Sequence, residues 1–224
     1  MSSKERATVR PVTLSRLIEV AHVCEREYRD TEYIEEELDV SHRRARETVL
    51  EAFRIGLLTE DQSGYLSTDT GKEFVEHVKQ ENWKGISQLL ETNSSHYASF
   101  LQTVDSVGPA TLTEILDELK TDDESHRSYN QTSVEVLGDW GERTGKVQRD
   151  SFSGEYYTVS SEIPTEFSDC LLDAYDELEE SGGVNLRQRH VSIPQLREEV
   201  CKRLGCTRSF FDCSLAEVAK ENVG

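Results

Sequence analysis

The sequence predicts a mainly α-helical fold with short β-hairpins, in which one small helical unit recurs along the chain. Three observations predict it. Apolar residues recur at three- and four-residue spacing through most of the 224 residues. Serine, threonine and asparagine stand where helix caps are needed, with glycine at several exits. Two stretches, 57–67 and 146–159, read instead as pairs of short strands around glycine-containing turns.

Thr13 begins the first helix, with Leu14, Leu17, Ile18, Ala21 and Cys24 on its apolar face. Thr31 is the expected cap of a second, with Tyr33, Ile34 and Leu38 inward. Asp39-Val40 is a turn, and Ser41 caps a third helix that turns Ala45, Val49 and Ala52 to the core. Gly56 supplies the positive-φ exit. Leu57 to Glu60 and Tyr65 to Ser67 flank the turn Asp61-Gln62-Ser63-Gly64, and a helix with Phe74, Val75 and Val78 inward follows from Thr68.

Trp83 to Leu90 and His96 to Val104 read as two connecting helices, and Ser106-Val107-Gly108-Pro109 marks a boundary. Thr111 and Glu114 have the spacing of a capping box before Leu112, Ile115, Leu116 and Leu119. A polar loop, Thr121 to Tyr129, leads to a helix begun at Asn130 or Thr132, with Val134, Leu137 and Trp140 inward and Gly145 at its end. A second hairpin follows, Lys146 to Arg149 and Tyr156 to Val159, around Ser151-Phe152-Ser153-Gly154. Pro164 opens a helix through Leu171, Leu172, Tyr175 and Leu178 that Gly182-Gly183 closes. Ser192 caps the next helix, with Pro194 in its first turn. Gly205-Cys206-Thr207 then turns the chain into a last helix bearing Phe210, Phe211, Leu215, Val218 and Ala219. One helix-turn-helix unit thus recurs three times, which divides the chain into 1–80, a connector 81–107, 108–162 and 163–224.

The order helix, helix, turn, helix, hairpin, helix, with an apolar face ending in Gly56-Leu57 and Leu66-Ser67-Thr68 running into Gly71, closely resembles the winged-helix superfamily of DNA-binding proteins over Ala45 to Phe74. Residues 108–162 resemble it less closely, because the loop between their helices is longer, and 163–224 repeats the helix pair without a hairpin. The resemblance implies tandem winged-helix units, each laying a recognition helix in the major groove with its hairpin on the backbone. Winged helices also serve as protein–protein modules.

Charge bears on both roles. The chain carries 44 acidic and 25 basic side chains, net −19, with 8 Lys against 17 Arg. Scarce lysine among dispersed acids resembles the proteins of salt-loving archaea, which would account for the acidity without excluding DNA as a partner. Two islands run the other way. Ser41 to Gly56 is net +2 and Val184 to Arg208 net +4, leaving −25 on the remainder. In the first island the helix opening at Ser41 presents His42, Arg43, Arg44 and Arg46, side chains suited to guanine edges and phosphates. Glu35, Glu36 and Glu37 on the preceding helix are the competing partners. In the second unit Asn130, Gln131 and Arg143 could face bases and Lys146 and Arg149 the backbone. In the third, Arg187, Arg189 and Arg208 could touch phosphates or equally dock on an acidic face elsewhere in the chain.

Motifs for catalysis are missing: no GxxxxGK[ST], HExxH or GxSxG, and six histidines at no ligand spacing. Five cysteines without a CxxC pair read as free thiols of a reducing, cytoplasmic setting. The expectation is a DNA-binding transcriptional regulator acting on double-stranded DNA, with no cofactor, no metal and no membrane span. The alternative is an adaptor or accessory subunit of a DNA-handling or defence complex, whose partner is another protein or a second copy.

Overall fold

The computed structural model describes residues 8–121, 128–160, 164–181 and 191–221. They form a mainly helical chain with two small antiparallel hairpins. In order these are α1 (Leu14–Val23), α2 (Thr31–Glu37), α3 (His42–Arg54), β1 (Leu58–Asp61), β2 (Gly64–Ser67), α4 (Asp69–Lys79) and α5 (Trp83–Asn93). Then come α6 (Ser95–Val107), α7 (Leu112–Thr121), α8 (Gln131–Arg143), β3 (Val147–Arg149), β4 (Tyr156–Thr158), α9 (Phe167–Ser181), α10 (Ile193–Leu204) and α11 (Arg208–Glu221).

Local chemistry sets the ends. Asp30, not Thr31, caps α2 by accepting from the Tyr33 amide at 2.8 Å. A carboxylate beside the positive end of a helix makes the stronger cap. Thr68 caps α4, accepting from Gly71 N at 3.0 Å, while its hydroxyl donates to Gly56 O at 2.6 Å and so ties the helix to the hairpin root. Thr111 and Glu114 form the anticipated reciprocal box. Asn130, rather than Thr132, caps α8 in a box with Ser133. α9 begins at Phe167, three residues beyond Pro164, and its Leu172 is exposed.

The first two units share one topology. In each, a strand of the hairpin also bridges the segment between the first two helices: Arg29 pairs Tyr65 and Ala110 pairs Tyr156. The first helix of the second unit is α6, which packs on α7, α8 and β4. In the stretch expected to be a connector, α5 packs on both α4 and α6, and α6 packs inside the second unit. A single core runs from Val9 to Tyr156 through both units. A separate one, holding Val200, Cys201 and Phe211, lies among α9, α10 and α11. β4 joins them by strand alternation, since Tyr156 belongs to the first core and its neighbour Tyr157 to the second.

Units one and two meet at the start of α1. Trp140 Nε1 donates to Val12 O at 2.9 Å and the Leu14 amide to Asp139 Oδ2 at 3.1 Å. The third unit grips the second hairpin. Arg208 forks onto Glu198 at 2.7 Å through both Nε and Nη2, and Nη2 also donates to Arg149 O at 2.6 Å and Ser151 Oγ at 2.9 Å. Lys202 approaches Asp150 and Glu155 at 3.7 and 3.3 Å.

Candidate nucleic-acid interface

α3 has a buried side and a displayed side. Ala45, Thr48, Val49, Glu51 and Ala52 are buried, whereas Ser41, His42, Arg43, Arg44 and Arg46 are exposed. The spacing that sends Ala45, Val49 and Ala52 inward necessarily sends Arg43 and Arg46 outward.

Their partners differ. His42 Nδ1 lies 2.9 Å from Glu35 Oε2, and Arg43 Nε 3.2 Å from Glu47 Oε1, yet the Arg43 side chain remains 86% exposed. Arg44 and Arg46 form no ion pair among the described residues. Arg46 faces Tyr65 on the hairpin. Burial and the bonded Glu60 carboxylate push the Tyr65 phenol up to about 12, with Arg46 opposing them. Ser41 stands at the cap position but its side chain bonds no first-turn amide. The start of α3 therefore offers open N–H groups beside three guanidiniums, an arrangement that attracts anions. The hairpin tip does the opposite, since Glu60 and Asp61 are exposed and no basic residue stands between them and Gly64.

A residue that the charge count treated as simple compensation holds this helix in place. Glu51 is fully buried and accepts from Arg54 at 2.5 and 3.1 Å and from the Arg10 amide and guanidinium at 3.2 and 3.4 Å. Arg54 continues to His96 Nδ1 on α6 at 3.4 Å. The signal was legible: Thr48, Glu51 and Ile55 share a buried stripe at three- and four-residue spacing.

The other expected residues do not join this face. α8, the counterpart of α3, buries Ser133, Val134, Val136, Leu137, Gly138, Trp140 and Gly141. Its open edge carries Glu135, Asp139 and Glu142 against Arg143, which pairs with Asp139 at 3.4 Å. Asn130 is engaged in capping and Gln131 bonds Glu135 at 3.0 Å. Lys146 pairs with Glu91 of α5 at 3.1 Å. Arg149 is exposed, its Nε on Gly154 O at 3.2 Å and its guanidinium 5.4 Å from the Tyr156 ring. Arg208 lies in the clamp between the third unit and the second hairpin, so its charge is matched internally. Arg187 and Arg189 lie outside the described residues.

Beside α3 a cavity of about 330 Å³ is bordered by Arg16, Arg44 and Glu47. Among the described residues no group of His, Cys, Asp and Glu is arranged to hold a metal ion, and no helix is long and apolar enough to cross a membrane. All five cysteines are free thiols. Comparison with known proteins finds no matching family model, curated protein or solved structure.

Proposed function

We propose that this chain is a non-catalytic DNA-binding protein of the winged-helix type, a regulator that reads duplex DNA through α3 of its first unit. The observation that carries the reading is the display of Arg43, Arg44 and Arg46 on a helix whose opposite face is fixed in the core, two of them without an ion pair among the described residues. Guanidiniums at the tip of such a helix suit both phosphates and guanine edges. The second and third units act as a scaffold in this reading, because the open edge of α8 is mostly acidic and the second hairpin is clamped. With the first hairpin tip acidic, affinity rests on α3 and falls steeply with salt.

The test is fluorescence anisotropy of a labelled random duplex across a salt series. The R43A/R44A/R46A variant should bind more weakly, with a slope of log K against log salt shallower by about 2–3. Equal binding by variant and parent overturns the assignment to α3.

A second reading, an adaptor that docks another protein, is favoured by one observation: Glu60 and Asp61 at the hairpin tip oppose a phosphate backbone. It predicts no duplex binding at any salt.

A further inference from the structure

We propose that the cavity beside α3 binds a small organic monocarboxylate, with Arg16 and Arg44 holding its head group. At about 330 Å³ the cavity falls at the small end of the usual range for small-molecule sites, about 300–1,000 Å³. Two guanidiniums border one hollow, and neither is fully engaged. Arg16 Nη1 serves Glu19 at 2.7 Å and Leu38 O at 3.2 Å, while no bond occupies its Nε or Nη2 among the described residues. Arg44 is exposed and makes no ion pair among the described residues. Glu47, the carboxylate on the rim, is drawn to Arg43 at 3.2 Å.

Two guanidiniums, Arg16 and Arg44, thus line the hollow against one carboxylate, Glu47, in a chain of net charge −19. The surplus of one positive charge matches a monoanion. A dianion such as a phosphate ester would overcompensate it and meet Glu47. Planar guanidinium forks also match a carboxylate geometrically. The remaining wall supplies the other half of a recognition site: Pro11, Val12 and Val40 are apolar, and the Thr13 side chain makes no capping bond. An apolar body with one carboxylate fits both halves.

The site is placed to regulate. Arg44 belongs to the proposed DNA-reading array, so a bound carboxylate and DNA compete for it, a consequence that rests on the DNA reading. The apolar wall is also the joint between units, since Val12 O accepts from Trp140.

Titration calorimetry on the full chain tests the site without DNA, using monocarboxylates from acetate to 1-naphthoate, the neutral 1-naphthamide and inorganic phosphate. Saturable binding that requires the carboxylate and strengthens with apolar size is expected. R16M and R44M should each weaken it at least about tenfold while leaving the circular dichroism unchanged. Absence of saturable carboxylate binding, equal binding of the amide, stronger binding of phosphate, or an unchanged R44M overturns the proposal. The DNA arm is separate: 1-naphthoate should lower duplex affinity in the parent but not in R44M. If the parent binds no DNA at any salt, the DNA reading fails while the calorimetry still decides the site.

Discussion

Replacing Glu51 with leucine removes a fully buried carboxylate that bridges the guanidiniums of Arg10 and Arg54. The side chains of Arg10 and Arg54 are 12% and 7% exposed, and Glu51 is 0% exposed. Taking one partner from a buried ion pair costs about 3–5 kcal/mol, mostly because the other charge stays desolvated. Both arginines keep a secondary contact, Arg10 with Leu50 O at 3.3 Å and Arg54 with His96 at 3.4 Å. The lower end, about 3 kcal/mol, is therefore expected. That is a large part of a stability of about 5–15 kcal/mol. Glu51→Gln keeps an acceptor in place and should cost about 1–2 kcal/mol. Urea unfolding followed by tryptophan fluorescence and circular dichroism measures both. The triple change R10M/E51L/R54M removes all three charges together and should be less destabilised than E51L alone. A loss below about 1 kcal/mol for E51L, or a triple variant less stable than the single, would refute the view that a buried charge triad fixes α3.

Arg208→Met and Glu198→Gln should show strong coupling in a double-mutant cycle. With Glu198 nearly buried but Arg208 about one-third exposed, solvent screening reduces the expected coupling to about 1–2 kcal/mol; additive losses would contradict the clamp. The same region sets an acid limit. Burial opposes ionisation of Glu198 and Asp150, but Arg208 and Ser151 for the first, and the Phe152 and Ser153 amides with Lys202 for the second, outweigh it and hold both below their ordinary values. Their stabilisation is complete above the ordinary carboxylate range and is lost as pH falls through it and below, so the free energy of unfolding should drop from about pH 5 downward. R208M should flatten that drop. Gly138→Ala should cost about 1–3 kcal/mol in thermal or urea unfolding, because a Cβ there would lie 2.7 Å from Tyr156 Cε1 and 2.8 Å from its hydroxyl. Trp140→Phe deletes the bond to Val12 O across the unit joint and should cost about 1 kcal/mol, with a measurable gain in amide exchange over 11–14.

Periodicity and punctuation made most of the elements legible. α3 was fixed by Ala45, Val49 and Ala52 together with Gly56, whose φ is +73°. The first hairpin was fixed by Gly64, at φ +119°. What failed were judgements that depend on distant residues. Nothing local says that α6 packs inside the second unit, since that follows from which neighbours arrive. The site divided along the same line. Arg43, Arg44 and Arg46 were visible because a helical face is a local property. For Arg208 the sequence left a phosphate and the chain's own acids equally open, and Glu198, ten residues away, and Ser151 of the second hairpin close on it. The roles of Arg10 and Arg16 depended on contacts with α3 and the α2–α3 turn, 22 to 41 residues distant.

α3 and α8 hold the same place in two copies of one topology, and their sequences show why only one of them can meet a ligand the size of DNA. Outward positions of α3 carry arginine, a side chain too costly to bury unpaired, so the helix must keep that side in water. In α8, aligned through the matching exits at Gly56 and Gly145, the same positions carry Thr132, Ser133 and Glu135, of which Ser133 is buried and none is basic. Two glycines of α8 let other elements approach directly, Gly138 meeting Tyr156 and Gly141 meeting Val147. A helix whose open edge is mostly acidic offers no cationic face, whatever its position in a repeat. Duplicating the topology therefore does not duplicate the interface. The second copy lends its third helix to the joint that carries Val12 and Leu14, and the first copy, anchored there, keeps its arginines free.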